Sequence, residues 1–145
     1  MNILLTGSTG LIGSALIPAL TSEGHRVSCL VRSKSKLGNR DTYWDPAAGE
    51  LYSPGLEGLD AVIHLAGESI AGGRWTAARK ARIRDSRVQG TRLLSETLAH
   101  LAHPPKVFIS TSAVGYYGDR ADEVLTEQSP PGSNFLAGIC HEWES

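Results

Sequence analysis

Residues 2–13 read Asn-Ile-Leu-Leu-Thr-Gly-Ser-Thr-Gly-Leu-Ile-Gly, an apolar strand that passes directly into a Gly-x-x-Gly-x-x-Gly turn. Ser14-Ala-Leu-Ile then opens a helical pattern. No other stretch constrains the fold as tightly, because a strand, a glycine turn and a helix N-terminus in that order begin a βα unit of a parallel sheet. The same order makes a cradle for a pyrophosphate. Glycines let the backbone turn sharply and approach the phosphates, while unpaired N–H groups and the helix dipole favour negative charge. A glycine triad alone matches many ordinary turns; the strand before it and the helix after it make this one a dinucleotide fingerprint. Its candidate cofactor-binding residues are Gly7, Thr9, Gly10, Leu11, Ile12 and Gly13.

The rest of the chain continues the alternation. Strands are expected at residues 2–5, 26–31, 61–66 and 106–110, with a strand fragment at 42–44 inside a polar, Gly- and Pro-rich stretch from 33 to 58. Helices are expected at residues 11–23, bent by Pro18, at 75–101, with a break near Asp85, and at 135–144. Pro removes a backbone donor, Gly24-His25 supplies a C-cap, and the continuous apolar run 61–66 suits a strand covered on both faces. Strands alternating with helices imply parallel pairing through right-handed crossovers, hence an α/β fold with a doubly wound, Rossmann-like sheet. The usual dinucleotide sheet has about six strands in two halves. Five strand candidates and a chain that stops inside a helical pattern at Ser145 lead us to expect an N-terminal portion of a longer protein. Residues 1–145 would then be one NAD(P)-binding domain, without most of its substrate-binding part.

Cofactor choice is read at the end of the second strand. The residue about 20 positions past the glycine turn meets the adenine ribose, and an acidic residue there selects NAD. This chain has Arg32 at that place, followed by Ser33, Lys34 and Lys36. Cations there pair with a 2′-phosphate and leave NAD without its ribose partner, so NADP(H) is the expected cofactor. Composition excludes other partners. A net charge of −1 gives no general attraction to nucleic acid or to an anionic membrane. The basic run from Arg74 to Arg92 has Trp75 as its only aromatic partner and does not form one narrow helical stripe, which reads as a solvated face. No apolar run is long enough for a transmembrane helix, and the first residues lack a secretory signal. Cys29 and Cys140 have no metal-ligand spacing and read as buried thiols in a reducing compartment, so the expected location is cytoplasmic.

Three segments together carry a family resemblance: Thr6-Gly-x-x-Gly-x-x-Gly13, Asp60-Ala-Val-Ile-His-Leu-Ala-Gly67 and Ser110-Thr-Ser-Ala-Val-Gly-Tyr-Tyr-Gly118. They resemble the extended short-chain dehydrogenase/reductases, the group of nucleotide-sugar epimerases. Gly67-Glu-Ser-Ile with Arg74-Trp75, Ser86-Arg87 with Thr91, and Phe135-Leu-Ala-Gly-Ile-Cys-x-x-Trp143-Glu144 are similar to an atypical branch, the epimerase-family or nucleoside-diphosphate-sugar epimerase-like proteins. The resemblance runs from residue 2 to the C-terminus. It implies a bound nicotinamide cofactor and cofactor-side roles for Leu65, Ala66, Gly67, Glu68, Arg82 and Arg87. Glu68 reads either as a proton-transfer group or as a hydrogen-bonding partner of the cofactor or of Arg87. A homodimer through the 75–101 helix and the last helix is implied as well, with Leu93, Leu94, Leu98 and Leu101 as core or dimer contacts.

Short-chain dehydrogenase chemistry uses a Ser or Thr, a Tyr and a Lys four residues after it. The Tyr exchanges the substrate proton, and the Lys cation lowers its pKa. By the resemblance Ser112 supplies the hydroxyl, with Thr111 as the neighbouring candidate. Counting back from Trp143-Glu144, the Tyr and Lys positions are Leu136 and Cys140, and neither can do that work. Tyr116 followed by Arg120 is a replacement pair on a Gly-rich turn; the alternative is that Tyr116 and Tyr117 pack that loop. Two functions follow. One is an NADP(H)-dependent oxidoreductase or isomerase acting on a small or nucleotide-linked hydroxyl compound, with Ser112 and Tyr116 as catalytic candidates. The other is a noncatalytic NADP(H)-binding sensor or scaffold that has lost the Tyr-x-x-x-Lys chemistry.

Overall fold

The computed structural model describes residues 1–145, the side chain of Lys36 excepted. The chain forms two compact units, Met1–Ser110 and Thr111–Ser145.

The first unit carries a six-stranded sheet: β1 (Asn2–Thr6), β2 (Arg26–Val31), β3 (Thr42–Asp45), β4 (Glu50–Leu51), β5 (Ala61–His64) and β6 (Val107–Ser110). The order across the sheet is β4-β3-β2-β1-β5-β6. Every pair is parallel except β3 with β4, an antiparallel hairpin. Register is set at the centre, where Leu4 sits between Ser28 and Val62, and Thr6 between Leu30 and His64. The chain leaves β1 for β2 on one side and later returns to β5 on the other, so the strand order switches at β1. Such a switch opens a crevice at the carboxyl ends of the strands.

Two helices complete this unit, α1 (Leu11–Ser22) between β1 and β2 and α2 (Ala77–Ala99) between β5 and β6. Leu94 and Leu98 of α2 pack with Leu4, Leu30, Trp44, Leu56 and Val62 into one buried cluster. Leu93 and Leu101 lean on the same cluster, so these leucines serve the core of their own chain. Ile3 and Leu5 alternate to the opposite face and are as fully buried. Right-handed crossovers that run in opposite directions across the sheet, β1 to β2 and β5 to β6, set α1 and α2 on opposite faces, which is the doubly wound arrangement.

Several expectations are corrected here. The fifth strand candidate, 42–44, is half of a hairpin whose partner β4 is too short to show in the sequence pattern; Asp45 turns it by accepting from the Ala47 and Ala48 amides. The apolar run 61–66 stops pairing at His64, because the Leu65 and Ala66 amides donate instead to the Thr6 hydroxyl oxygen. Helix α2 does not break at Asp85. That carboxylate lies at the surface, 3.2 Å from Arg84 Nη1, and leaves the backbone ladder alone. The helix starts at Ala77 and not at Trp75, because Thr76 Oγ1 caps it by accepting from the Arg79 amide. Pro18 lies inside α1 without ending it.

The second unit holds a 3₁₀ turn at Val114–Tyr117 and α3 (Phe135–Glu144). Asn134 Oδ1 caps α3 by accepting from the Ala137 amide. Ala137, Ile139 and Cys140 are its buried residues.

Candidate functional site

The first unit has a cavity of about 350 Å³ at the carboxyl ends of β1, β2, β3 and β5. Residues 7–10 of the glycine turn form one wall, and Leu65, Ala66 and Gly67 after β5 form the facing wall, with Ser86 of α2 behind them. Leu30, Val31, Arg32 and Ser33 close the β2 end, where Trp44 and Pro46 add an apolar side.

The glycine turn is fitted to these walls. Gly7 adopts a left-handed φ of 72°, and a Cβ there would meet Leu65 O at 2.7 Å and Ala66 N at 3.0 Å. Its carbonyl accepts from the Gly10 amide at 3.0 Å, and a Cβ on Gly13 would run into that same carbonyl. Gly10 is the N-cap of α1 and offers no side chain to the first-turn amides, and that turn has no acidic residue. Those amides therefore remain available to an anion, which is the chemistry a pyrophosphate requires.

The turn residues divide by role. Gly7, Thr9 and Gly10 line the cavity, whereas Gly13 is buried against the turn and acts by letting α1 approach it. Leu11 and Ile12 have exposed side chains, so their contribution is the backbone of the first helical turn. Arg32 lies at the cavity's β2 end next to Ser33. Lys34 turns away, its ammonium 4.8 Å from the centre of the Tyr43 ring. The Lys36 side chain lies outside the described residues.

After β5 the chain forms a braced loop. Glu68 N–H donates to Ser86 Oγ at 2.9 Å, and Glu68 C=O accepts from Arg87 Nη1 at 2.9 Å. Arg87 also donates to Ile83 O, and its guanidinium would lie 3.2 Å from a Cβ on Gly67. Arg87 thus stands behind the lining and holds the loop that carries Gly67. Arg79 acts in the same way further along, donating to Ser69 O and Ala71 O. Glu68 is half-buried and Arg82 exposed on α2, and neither is among the lining residues.

Under this floor lies a buried pair. Thr6 Oγ1 and His64 Nδ1 are 2.7 Å apart, and both residues have no exposed surface. Burial lowers the His64 pKa from 6.5 to about 4, so its ring is neutral at physiological pH. Cys29, expected to be buried, is half-buried, and its thiol pKa is raised by burial and by Asp41, whose Oδ1 accepts from the Cys29 amide at 2.9 Å.

In the second unit, Ser112 Oγ donates to Glu144 Oε1. Tyr116 and Tyr117 pack edge-to-face with ring centres 5.1 Å apart. The Arg120 fork is committed to Glu123, with two nitrogen–oxygen distances of 2.7 Å, and to Pro130 O. In the Tyr116–Arg120 candidate pair, the guanidinium is thus held by Glu123 and Pro130 O, while the Tyr116 ring packs against Tyr117. Leu136 rests against Gly115, and the Cys140 thiol is buried beside Ala113 O at 3.9 Å. Both positions are packing positions.

Sequence reasoning missed Trp44, Pro46 and Glu144. Trp44 and Pro46 reach the cavity because β3 pairs with β2 in the register Val31↔Tyr43, which no local pattern encodes. Glu144 was legible only as the residue after Trp143, and its link to Ser112 spans 32 positions.

A parallel sheet with a switch point, a glycine turn fitted to the facing backbone and an uncapped helix N-terminus define a nucleotide-binding α/β protein of the short-chain dehydrogenase/reductase type. The chain belongs to the NAD dependent epimerase/dehydratase family, whose sequence profile matches residues 3–136. It is 38% identical over 142 residues to an epimerase family protein of Mycobacterium leprae, an alignment that covers 98% of this chain and 45% of that relative. The crystal structure of a nucleoside-diphosphate sugar epimerase from Corynebacterium glutamicum is similar, with 40% identity and a TM-score of 0.83 over 99% of this chain and 29% of that one. So is that of a human epimerase family protein with NADPH, at 31% identity and a TM-score of 0.84 over 99% of this chain and 48% of that one. The chain spans about half the length of the curated relatives it matches.

Proposed function

We propose that residues 1–145 are the NADP(H)-binding part of an epimerase-family oxidoreductase or isomerase that acts on a hydroxyl-bearing, nucleotide-linked substrate. The observation that carries the cofactor choice is Arg32 with Ser33 at the β2 end of the cavity, where NAD would need a carboxylate. The NADPH in the human relative's structure supports the same choice. Gly7, Thr9, Gly10 and the backbone of Leu11 and Ile12 are assigned to the pyrophosphate. Leu65, Ala66 and Gly67 are assigned to the face opposite the glycine turn, and Arg87 and Ser86 to bracing it. When bound, the nicotinamide supplies hydride exchange. Ser112 is assigned to hydrogen-bond the reacting oxygen of the substrate, its Oγ accepting from the substrate hydroxyl while its own hydrogen is donated to the Glu144 carboxylate. Two cysteines outside any disulfide support the reading of a reducing, cytoplasmic compartment. A homodimer is part of the proposal, and sedimentation of the protein would test it.

Calorimetric titration with NADPH and NADH tests the cofactor reading. NADPH is expected to bind the more tightly, and Arg32→Ala to weaken NADPH by about tenfold or more while leaving NADH nearly unchanged, as loss of a charge-assisted bond to a 2′-phosphate predicts. Equal loss for both dinucleotides removes the 2′-phosphate role. The sensor reading draws on Leu136 and Cys140 being packed into the fold. NADPH consumption with a panel of carbonyl and sugar-nucleotide compounds, measured on the longer protein, separates it from the enzyme.

A further inference from the structure

Two strands meet where the cavity walls come together. The last residue of β1, Thr6, immediately precedes Gly7, and the last residue of β5, His64, immediately precedes Leu65. Thr6 Oγ1 accepts from the Leu65 amide at 3.1 Å and from the Ala66 amide at 3.0 Å. A hydroxyl oxygen has two acceptor lone pairs and one hydrogen. Both lone pairs are therefore used, and the hydrogen goes to His64 Nδ1, 2.7 Å away. On that assignment Nδ1 accepts and the ring hydrogen is on Nε2, a buried nitrogen with no hydrogen bond among the described residues. Aromatic rings hold the imidazole in place, Trp44 edge-on with centres 5.9 Å apart and Phe108 at 6.4 Å.

The consequence reaches the cavity. The Leu65–Ala66 peptide is the surface on which Gly7 closes, so near that only a glycine fits. Its position sets the gap between the glycine turn and the facing wall. We propose that His64 is a positioning residue for the dinucleotide, a role that rests on the reading of the cavity given above. By taking the Thr6 hydroxyl hydrogen, it orients both lone pairs of Thr6 at the Leu65 and Ala66 amides and holds that wall in register with the turn. It touches no ligand. It acts through Thr6.

The test combines four variants with one measurement on the wild-type protein. Thr6→Val keeps the shape and removes the hydroxyl, and His64→Leu removes the acceptor. Thr6→Ser and His64→Asn retain a hydroxyl and an acceptor respectively. Amide hydrogen exchange at Leu65 and Ala66 is expected to accelerate about tenfold or more in Thr6→Val and His64→Leu, with NADPH affinity falling by a similar factor, as loss of a buried hydrogen bond predicts. Both readouts are expected to recover in the Ser and Asn variants. Nitrogen-15 spectra of the wild-type imidazole are expected to show a neutral ring protonated on Nε2. A ring protonated on Nδ1 overturns the proposal even if a variant fails to fold. Wild-type NADPH affinity in folded Thr6→Val or His64→Leu overturns it as well. A wild-type protein that binds neither dinucleotide removes the cavity's cofactor reading, and this role with it, at a step before any variant is compared.

Discussion

Individual residues do unlike work in the cavity. Gly7 combines a positive φ with a contact that admits no Cβ, so Gly7→Ala meets two penalties at once. We expect it to cost at least about 2 kcal/mol in urea unfolding, and to spread the two cavity walls apart. His64 gives a prediction in pH. Its folded pKa, about 4, lies below the 6.5 of an exposed histidine, so the unfolded chain takes up the proton first. The associated stability is complete above pH 6.5, falls as the pH drops from 6.5 to about 4, and then levels off. A shift of this size corresponds to roughly 3 kcal/mol. Urea unfolding at pH 7, 5.5 and 4 should show the wild type losing that much more than His64→Asn; parallel losses in the two proteins would contradict it. Residues this informative were unequally legible. Gly7, Gly10 and Gly13 announce themselves because a turn is a local object, and Arg32 because it follows a strand that pairs with the first. The Thr6–His64 bond joins positions 58 apart. Only the pairing of β1 with β5 brings them together, so His64 reads in sequence as one more strand residue.

Among the elements, α2 links core and cavity. Its inner face supplies Leu94 and Leu98 to the core, while its first turns supply Arg79, Ser86 and Arg87 to the loop after β5. One rigid helix thereby refers the loop to the sheet. Gly90 is the buried point at which this helix passes the β3–β4 hairpin, and a Cβ there would meet Trp44 at 3.7 Å and Pro46 at 3.8 Å, which is ordinary contact. Gly90→Ala is therefore expected to fit and to raise stability by about 0.5–1 kcal/mol through helix propensity. Thermal unfolding would show it, and a lower midpoint would mean that the hairpin cannot spare the space. The extent of α2 was readable from its pattern to within two residues at either end. Its continuity past Asp85 was not, because a mid-helix carboxylate breaks a helix only when it turns back to the backbone, and this one faces Arg84. The β3–β4 hairpin was half visible. A two-residue strand has no periodicity to detect, and here Asp45 and the hairpin turn create it.

The whole chain is two compact units with separate chemistry, the cavity in residues 1–110 and the Ser112–Glu144 pair in 111–145. Relatives about twice as long, together with Leu136 and Cys140 in place of Tyr and Lys, lead us to expect that the 145-residue polypeptide titrates with NADPH and turns over none of a carbonyl panel. Sustained NADPH consumption by the polypeptide itself would contradict this and would make Ser112 and Glu144 sufficient. The sheet has a further consequence at its far side. β6 pairs with β5 alone among the described strands, and Val107, Phe108 and Ile109 are 47%, 37% and 49% exposed along it. In the 145-residue polypeptide, such an edge with apolar side chains on both faces is a template for an added extended segment. In the tube, this makes colloidal behaviour depend on concentration. Warm, concentrated samples should cloud before they unfold, and a single lysine at position 109 should keep them clear.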